Sequence, residues 1–126
     1  MMRILVVDDD ADFAWSQVML LKLFGHEVDV CTVGTEAIGV IERTRPDVVL
    51  LDLAMPRICG LDISEELQRR PELRPRLLAA VTGFESAELH AQAAAAGFDQ
   101  YFVKPIELAK LQTSLETLQL KDRRSK

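Results

Sequence analysis

The chain has 126 residues, long enough for one domain with a buried core. With 48% apolar and 28% charged residues it is globular rather than disordered, and a net charge of −5 argues against nucleic-acid binding by simple electrostatics. No signal-peptide pattern and no bilayer-length apolar run is present, and two isolated cysteines, Cys31 and Cys59, fit a reducing compartment; the chain reads as cytoplasmic, away from any membrane.

Five short apolar runs alternate with helical patterns. Ile4–Val7 is a first buried strand, running into Asp8-Asp9-Asp10. Asp10–Phe24 follows as a helix with Phe13, Leu20, Leu21 and Phe24 apolar, stopped by Gly25. Glu27–Cys31 is a second strand, and Thr35–Arg43 a helix closed before Pro46. Val48–Leu51 is a third strand, running into Asp52, and Leu61–Arg70 a helix stopped by Pro71. Leu77–Val81 is a fourth strand, running into Thr82. Ser86–Ala96 is an alanine-rich helix with Ser86 as N-cap and Gly97 at its end. Tyr101–Val103 is a fifth strand, running into Lys104-Pro105. Ile106–Leu120 closes the series, with Leu108, Leu111, Leu115 and Leu118 on the stripe that packs on the sheet. Five βα units predict an α/β fold with a parallel sheet and helices on both faces. Residues 1–120 read as one domain and residues 121–126 as a locally basic tail or linker stump.

In open α/β sheets, ligands bind beyond the carboxyl ends of the strands. Three carboxylates (Asp8, Asp9 and Asp52), the Thr82 hydroxyl and the Lys104 ammonium are therefore expected at one edge. Clustered carboxylates raise one another's pKa unless a positive charge lies between them, and a hard divalent cation such as Mg²⁺ relieves the repulsion. A carboxylate can attack a phosphoryl donor, and phosphoryl transfer needs little beyond positioning and charge neutralisation. Each residue alone reads as a turn or cap; four of the five βα junctions carrying this set do not.

The set resembles the receiver domain of two-component response regulators. The matching stretches are Leu5-Val6-Val7-Asp8-Asp9, Leu50-Leu51-Asp52-Leu53-Ala54-Met55-Pro56 with Gly60, Val81-Thr82-Gly83, and Ala96-Gly97-Phe98-Asp99 through Phe102-Val103-Lys104-Pro105. The resemblance implies a flavodoxin-like, doubly wound five-stranded parallel sheet in the order 2-1-3-4-5. It implies that Asp52 takes a phosphoryl group from a histidine kinase or histidine phosphotransfer protein. Asp9, Asp52 and the Ala54 carbonyl are implied as Mg²⁺ ligands, with Asp8 acting mainly through water on the ion. Lys104 is implied to contact the phosphoryl group and Thr82 to move toward it. Tyr101 matches the aromatic switch position, whose ring turns inward and reshapes the face of helix four, strand five and helix five. That face is the expected contact for a downstream protein and for a homodimer. The resemblance thus implies a signalling phosphoacceptor, not a turnover enzyme, that takes part in its own phosphorylation and dephosphorylation.

Cys59 stands where the family often has Asp, with no expected loss of chemistry. Ala54 and Phe84, two residues after Asp52 and Thr82, offer no side chain to orient a water, so slow self-dephosphorylation is expected. A second apolar stripe on the first helix, Trp15, Val18 and Met19, is expected to dock the kinase. His26 and His90 read as surface residues. Because the chain stops shortly after its fifth helix, it is expected to act by protein contact, as a relay, a phosphate sink or a piece of a larger regulator, without binding nucleic acid itself. Two alternatives compete. One is a receiver-like module that binds partners without phosphorylation, disfavoured because every acceptor residue is present. The other is a haloacid-dehalogenase-like phosphatase using Asp8-Asp9-Asp10; it lacks a late acidic pair and leaves Asp52 without a role.

Overall fold

A computed structural model describes residues 1–124, with side chains for 1–120; the basic character expected of residues 121–126 falls on side chains outside that description. The main sheet has five parallel strands: β1 (Arg3–Val7), β2 (Glu27–Cys31), β3 (Val48–Asp52), β4 (Leu77–Thr82) and β5 (Gln100–Val103), in the order β2-β1-β3-β4-β5. The expected flavodoxin-like topology is thus observed. Helices α1 (Ala11–Leu23), α2 (Ala37–Thr44), α3 (Gly60–Arg69), α4 (Ala87–Ala95) and α5 (Leu108–Arg124) connect and flank the strands. None of the described helices is long and apolar enough to cross a membrane.

The pleat of the central strands divides the core in two. In β1, Leu5 and Val7 face α2, α3 and α4, together with Val49, Leu51, Leu78, Ala80, Ile41, Ile63, Leu67 and Ala93. Ile4 and Val6 face α1 and α5, with Val48, Leu50, Ala79, Val81, Ala14, Leu21, Leu111 and Leu115. Every residue of β3 and β4 is buried, which is why these strands read as unbroken apolar runs rather than alternations. The leucine stripe of α5 packs as expected, with Leu111 and Leu115 buried and Leu108 and Leu118 half-buried.

Three expectations need correction. The buried face of α1 is Ala14, Gln17, Val18 and Leu21, at i, i+3, i+4 and i+7, whereas Leu20 and Phe24 are exposed. Val18 is therefore core, and it cannot share an outer stripe with Trp15 and Met19. His26 is buried rather than a surface residue, because its Nδ1 accepts the Met2 N–H at 3.1 Å where the chain enters β1. The loop after β3 also contains a short antiparallel ladder, Ala54–Met55 with Ile58–Cys59, turned by Pro56 and Arg57, the latter at φ 69°. Two residues per strand leave no period to read.

The loops that carry the site are anchored. Asp99 accepts the Leu78 N–H at 2.8 Å and pairs with Arg74 at 3.0 Å, and Arg74 also donates to the Gly97 carbonyl. This ties the turn before β5 to the start of β4. Ser64, buried on α3, donates to the Ala96 carbonyl at the end of α4.

Candidate phosphoacceptor site

Backbone hydrogen bonds carry the ladder one residue past the strand ends. Asp8 N–H donates to Cys31 O (3.0 Å), Leu53 N–H to Val81 O (3.1 Å), and Lys104 N–H to Thr82 O (2.7 Å). Asp8, Asp52, Thr82 and Lys104 are thereby fixed at the carboxyl ends of β1, β3, β4 and β5, along one edge of the sheet. Asp8, Asp9 and Asp52 each present a carboxylate oxygen, all within 4.8 Å of one another. Asp8 and Asp52 are buried and Asp9 is exposed.

Each buried carboxylate has one oxygen tied to backbone. Asp8 Oδ1 accepts the Asp10 N–H at 2.9 Å, and Asp52 Oδ1 accepts the Ala54 N–H at 3.0 Å. The other oxygens face Lys104, whose Nζ is 2.7 Å from Asp8 Oδ2 and 3.6 Å from Asp52 Oδ2. Asp8 Oδ2 is buried, and the Lys104 ammonium at 2.7 Å is its partner. Burial pushes the Asp52 carboxyl up to about 6; the nearby Asp8 charge adds to the rise, and the Ala54 N–H and Lys104 oppose it. For Lys104, burial favours the neutral amine, but Asp8 and Asp52 outweigh it and the pKa is raised.

Two of the three clustered carboxylates thus meet one ammonium, and all three offer hard oxygen donors on one edge. This donor set, three carboxylates each offering an oxygen to one point, fits a divalent cation such as Mg²⁺. A cleft of about 270 Å³ opens beside Asp9, lined by Thr32, Thr35, Pro56 and Arg57 among others. Gly60 closes the floor of the acceptor loop: a Cβ there would lie 2.6 Å from the Asp52 carbonyl oxygen. Cys59 is the N-cap of α3, and its thiol donates to Leu53 O at 3.4 Å instead of capping the helix.

Residues 4–116 match the response regulator receiver domain. The chain belongs to this family. Response regulator MprA of Mycobacterium leprae (strain TN) is 34% identical over 117 residues, covering 93% of this chain and 50% of that protein. Response regulator MprA of Mycobacterium sp. (strain KMS) is 35% identical over 116 residues, again covering 50% of that protein. The chain therefore spans about half the length of these curated relatives. A CheY-like receiver domain protein from Methanospirillum hungatei JF-1 superposes with a TM-score of 0.84 at 28% identity, covering 98% of each chain. The receiver domain of a DNA binding response regulator (merR) from Colwellia psychrerythraea 34H gives 0.87 at 24% identity, covering 94% of this chain and 98% of that one; this likeness speaks for the fold alone.

The receiver residues that lie away from the acid cluster are also placed. Thr82 is fully buried, and its hydroxyl oxygen accepts the Phe84 N–H at 3.2 Å. Tyr101, half-buried, donates its hydroxyl to the Phe84 carbonyl at 2.9 Å, and its ring stacks on His90 at 4.6 Å between centroids. Trp15 and Met19 are 52% and 66% exposed on the outer face of α1, against 2% for Val18. Leu23 and Phe24 extend that exposed apolar face. The Phe13 ring lies 4.5 Å from Lys104 Nζ, a contact across 91 positions that no local signal announces.

Proposed function

We propose that the chain is a working phosphoacceptor: Asp52 takes a phosphoryl group from a histidine kinase or histidine phosphotransfer protein. The observation that carries this reading is the buried Asp52 carboxylate 3.6 Å from Lys104 Nζ within an acidic cluster at the switch point of the sheet. An Asp52 oxygen attacks phosphorus, the O–P bond forms as the P–N bond of a phosphohistidine breaks, and the imidazole keeps the electron pair. Asp9, Asp52 and the Ala54 carbonyl would hold Mg²⁺, with Asp8 beside them; when bound, the cation supplies charge neutralisation for carboxylates and phosphoryl oxygens alike. Lys104 contributes a further positive charge beside Asp52.

Signal output runs through Phe84 in this reading. When the Thr82 hydroxyl turns to donate to a phosphoryl oxygen, it weakens its bond with the Phe84 N–H. The Phe84 carbonyl holds Tyr101, so the aromatic position and the α4–β5–α5 face respond together as a population shift. That face would meet the downstream protein or a second copy. Trp15 and Met19 would dock the kinase, being exposed and on the helix that starts beside Asp9. Both cysteines are free thiols, in keeping with a cytoplasmic setting.

The test is intact mass after incubation with Mg²⁺ and acetyl phosphate, on wild type and Asp52→Ala. One phosphoryl adduct that requires Mg²⁺ and vanishes in the variant is expected. No adduct on wild type refutes the reading and leaves a module that binds without phosphorylation.

A further inference from the structure

We propose that Phe13 is a positioning residue for Lys104, its ring face keeping the ammonium over Asp52 during phosphoryl transfer. The inference rests on the receiver reading above. Lys104 Nζ is 4.5 Å from the ring centroid, well inside the range of a cation–π contact. The same nitrogen sits 2.7 Å from Asp8 Oδ2 and 3.6 Å from Asp52 Oδ2, so three groups hold it. Asp8 is the nearest of the three in the cation-free protein. Once the cluster holds a divalent cation, its carboxylate oxygens are shared and the ammonium faces a like charge. Its attachment to Asp8 is the contact that weakens. The ring carries no charge and makes no claim on the metal, so its attraction for the ammonium survives the exchange. A lysine stem left with no such partner would give its head group to solvent.

Local structure puts the ring in place. Asp10 caps α1 and accepts the Phe13 N–H at 3.2 Å, which sets Phe13 in the first turn, next to Asp8 and Asp9. The ring is braced from below by the α1–α5 half of the core. The Lys104 side chain is 21% exposed, so the contact is partly desolvated and stronger than on an open surface.

Phe13→Leu keeps apolar bulk and removes the ring; Phe13→Tyr keeps the ring face. In cation-free protein, the Lys104 ε-methylene protons should show an upfield ring-current shift by NMR that Leu abolishes and Tyr retains. At saturating Mg²⁺, Phe13→Leu should form the Asp52 adduct from acetyl phosphate about 3- to 10-fold more slowly, a factor typical of a partly desolvated cation–π contact. Its Mg²⁺ affinity should be unchanged, and Phe13→Tyr should react at the wild-type rate. A wild-type rate for Phe13→Leu overturns the inference, as does a Tyr variant as slow as Leu or a slow rate traced to weakened Mg²⁺ binding. No adduct on wild type overturns the receiver reading and this inference with it, a result distinguishable from any difference between variants.

Discussion

Asp52→Asn should stabilise the cation-free protein. The carboxyl is buried, lies beside Asp8, and has its pKa pushed up to about 6 from an ordinary value of 3.8. A shift of this size places about 3 kcal/mol against the ionised form in the fold relative to the unfolded chain. The folded state binds the proton more tightly than the unfolded state. The group's favourable contribution is therefore complete below the unfolded pKa and is lost as pH rises through about 6. Asparagine has nothing to ionise. It gives up the 3.6 Å attraction to Lys104, but Lys104 keeps its closer contact with Asp8. We expect a net gain of about 1–3 kcal/mol at pH 7.5, shrinking by about 1.5 kcal/mol at pH 5, where most Asp52 is already protonated. Urea unfolding in EDTA, followed by far-ultraviolet circular dichroism and Trp15 fluorescence at both pH values, reads the difference. An Asn variant no more stable than wild type at pH 7.5, or a gap that ignores pH, would refute the reasoning.

The remaining expectations concern other parts of the molecule. Gly60→Ala puts a methyl 2.6 Å from the Asp52 carbonyl oxygen and 2.9 Å from the Leu53 Cα, both backbone atoms. It should lower stability by about 1–3 kcal/mol and cut Asp52 phosphorylation; an unchanged urea midpoint would contradict the close approach. Trp15→Ala should slow kinase-dependent phosphorylation while sparing acetyl phosphate, because Trp15 is 52% exposed and far from the chemistry in role; equal loss with both donors would signal a folding defect instead. Ala54 and Phe84 are both exposed and carry no group to orient a water, so the isolated phosphoprotein should decay over minutes or longer, and loss within seconds by intact mass would sink that expectation. Burial, and next the positive N-terminus, lower the His26 pKa below 6.5. Its contribution to stability is full above the unfolded value and declines as pH falls below it. His26→Asn, which retains an acceptor for Met2, should lose less stability than wild type between pH 7 and 5; equal losses would argue against His26 titration.

What was legible in the sequence follows from how local each cause is. Val48–Leu51 and Leu77–Val81 are buried on both faces, so burial wrote a continuous apolar run that needs no tertiary knowledge to read. That Asp52, Thr82 and Lys104 share one edge is legible because the strand ends are legible. The phase of α1 was misread because Trp15, Met19, Leu20, Leu23 and Phe24 are apolar on the outside, which leaves the helix with little contrast between faces. The burial of His26 and the contact of Phe13 with Lys104 are illegible for a different reason. Their decisive partners, Met2 and Lys104, are brought near by the fold and leave no periodic trace. The ladder after β3 had no signal at all, being two residues long on each side.

The electrostatics of the edge explain why these residues are held together at a loss of stability. Two buried carboxylates face the Lys104 ammonium with the exposed Asp9 in the same cluster, and the sheet offers no way for the buried pair to separate, since Asp8 and Asp52 are fixed by ladder bonds on adjacent strands. Burial first, and the repulsion from Asp8 with it, raise the Asp52 pKa and weaken the fold at neutral pH. The same repulsion would be relieved by a divalent cation, so the charge clustering of Asp8, Asp9 and Asp52 contributes directly to cation affinity. A substitution that calms the cluster, such as Asp52→Asn, should therefore strengthen the fold and weaken cation binding together. Opposite signs in these two measurements, on one variant, are what a site built for charge rather than for stability must produce.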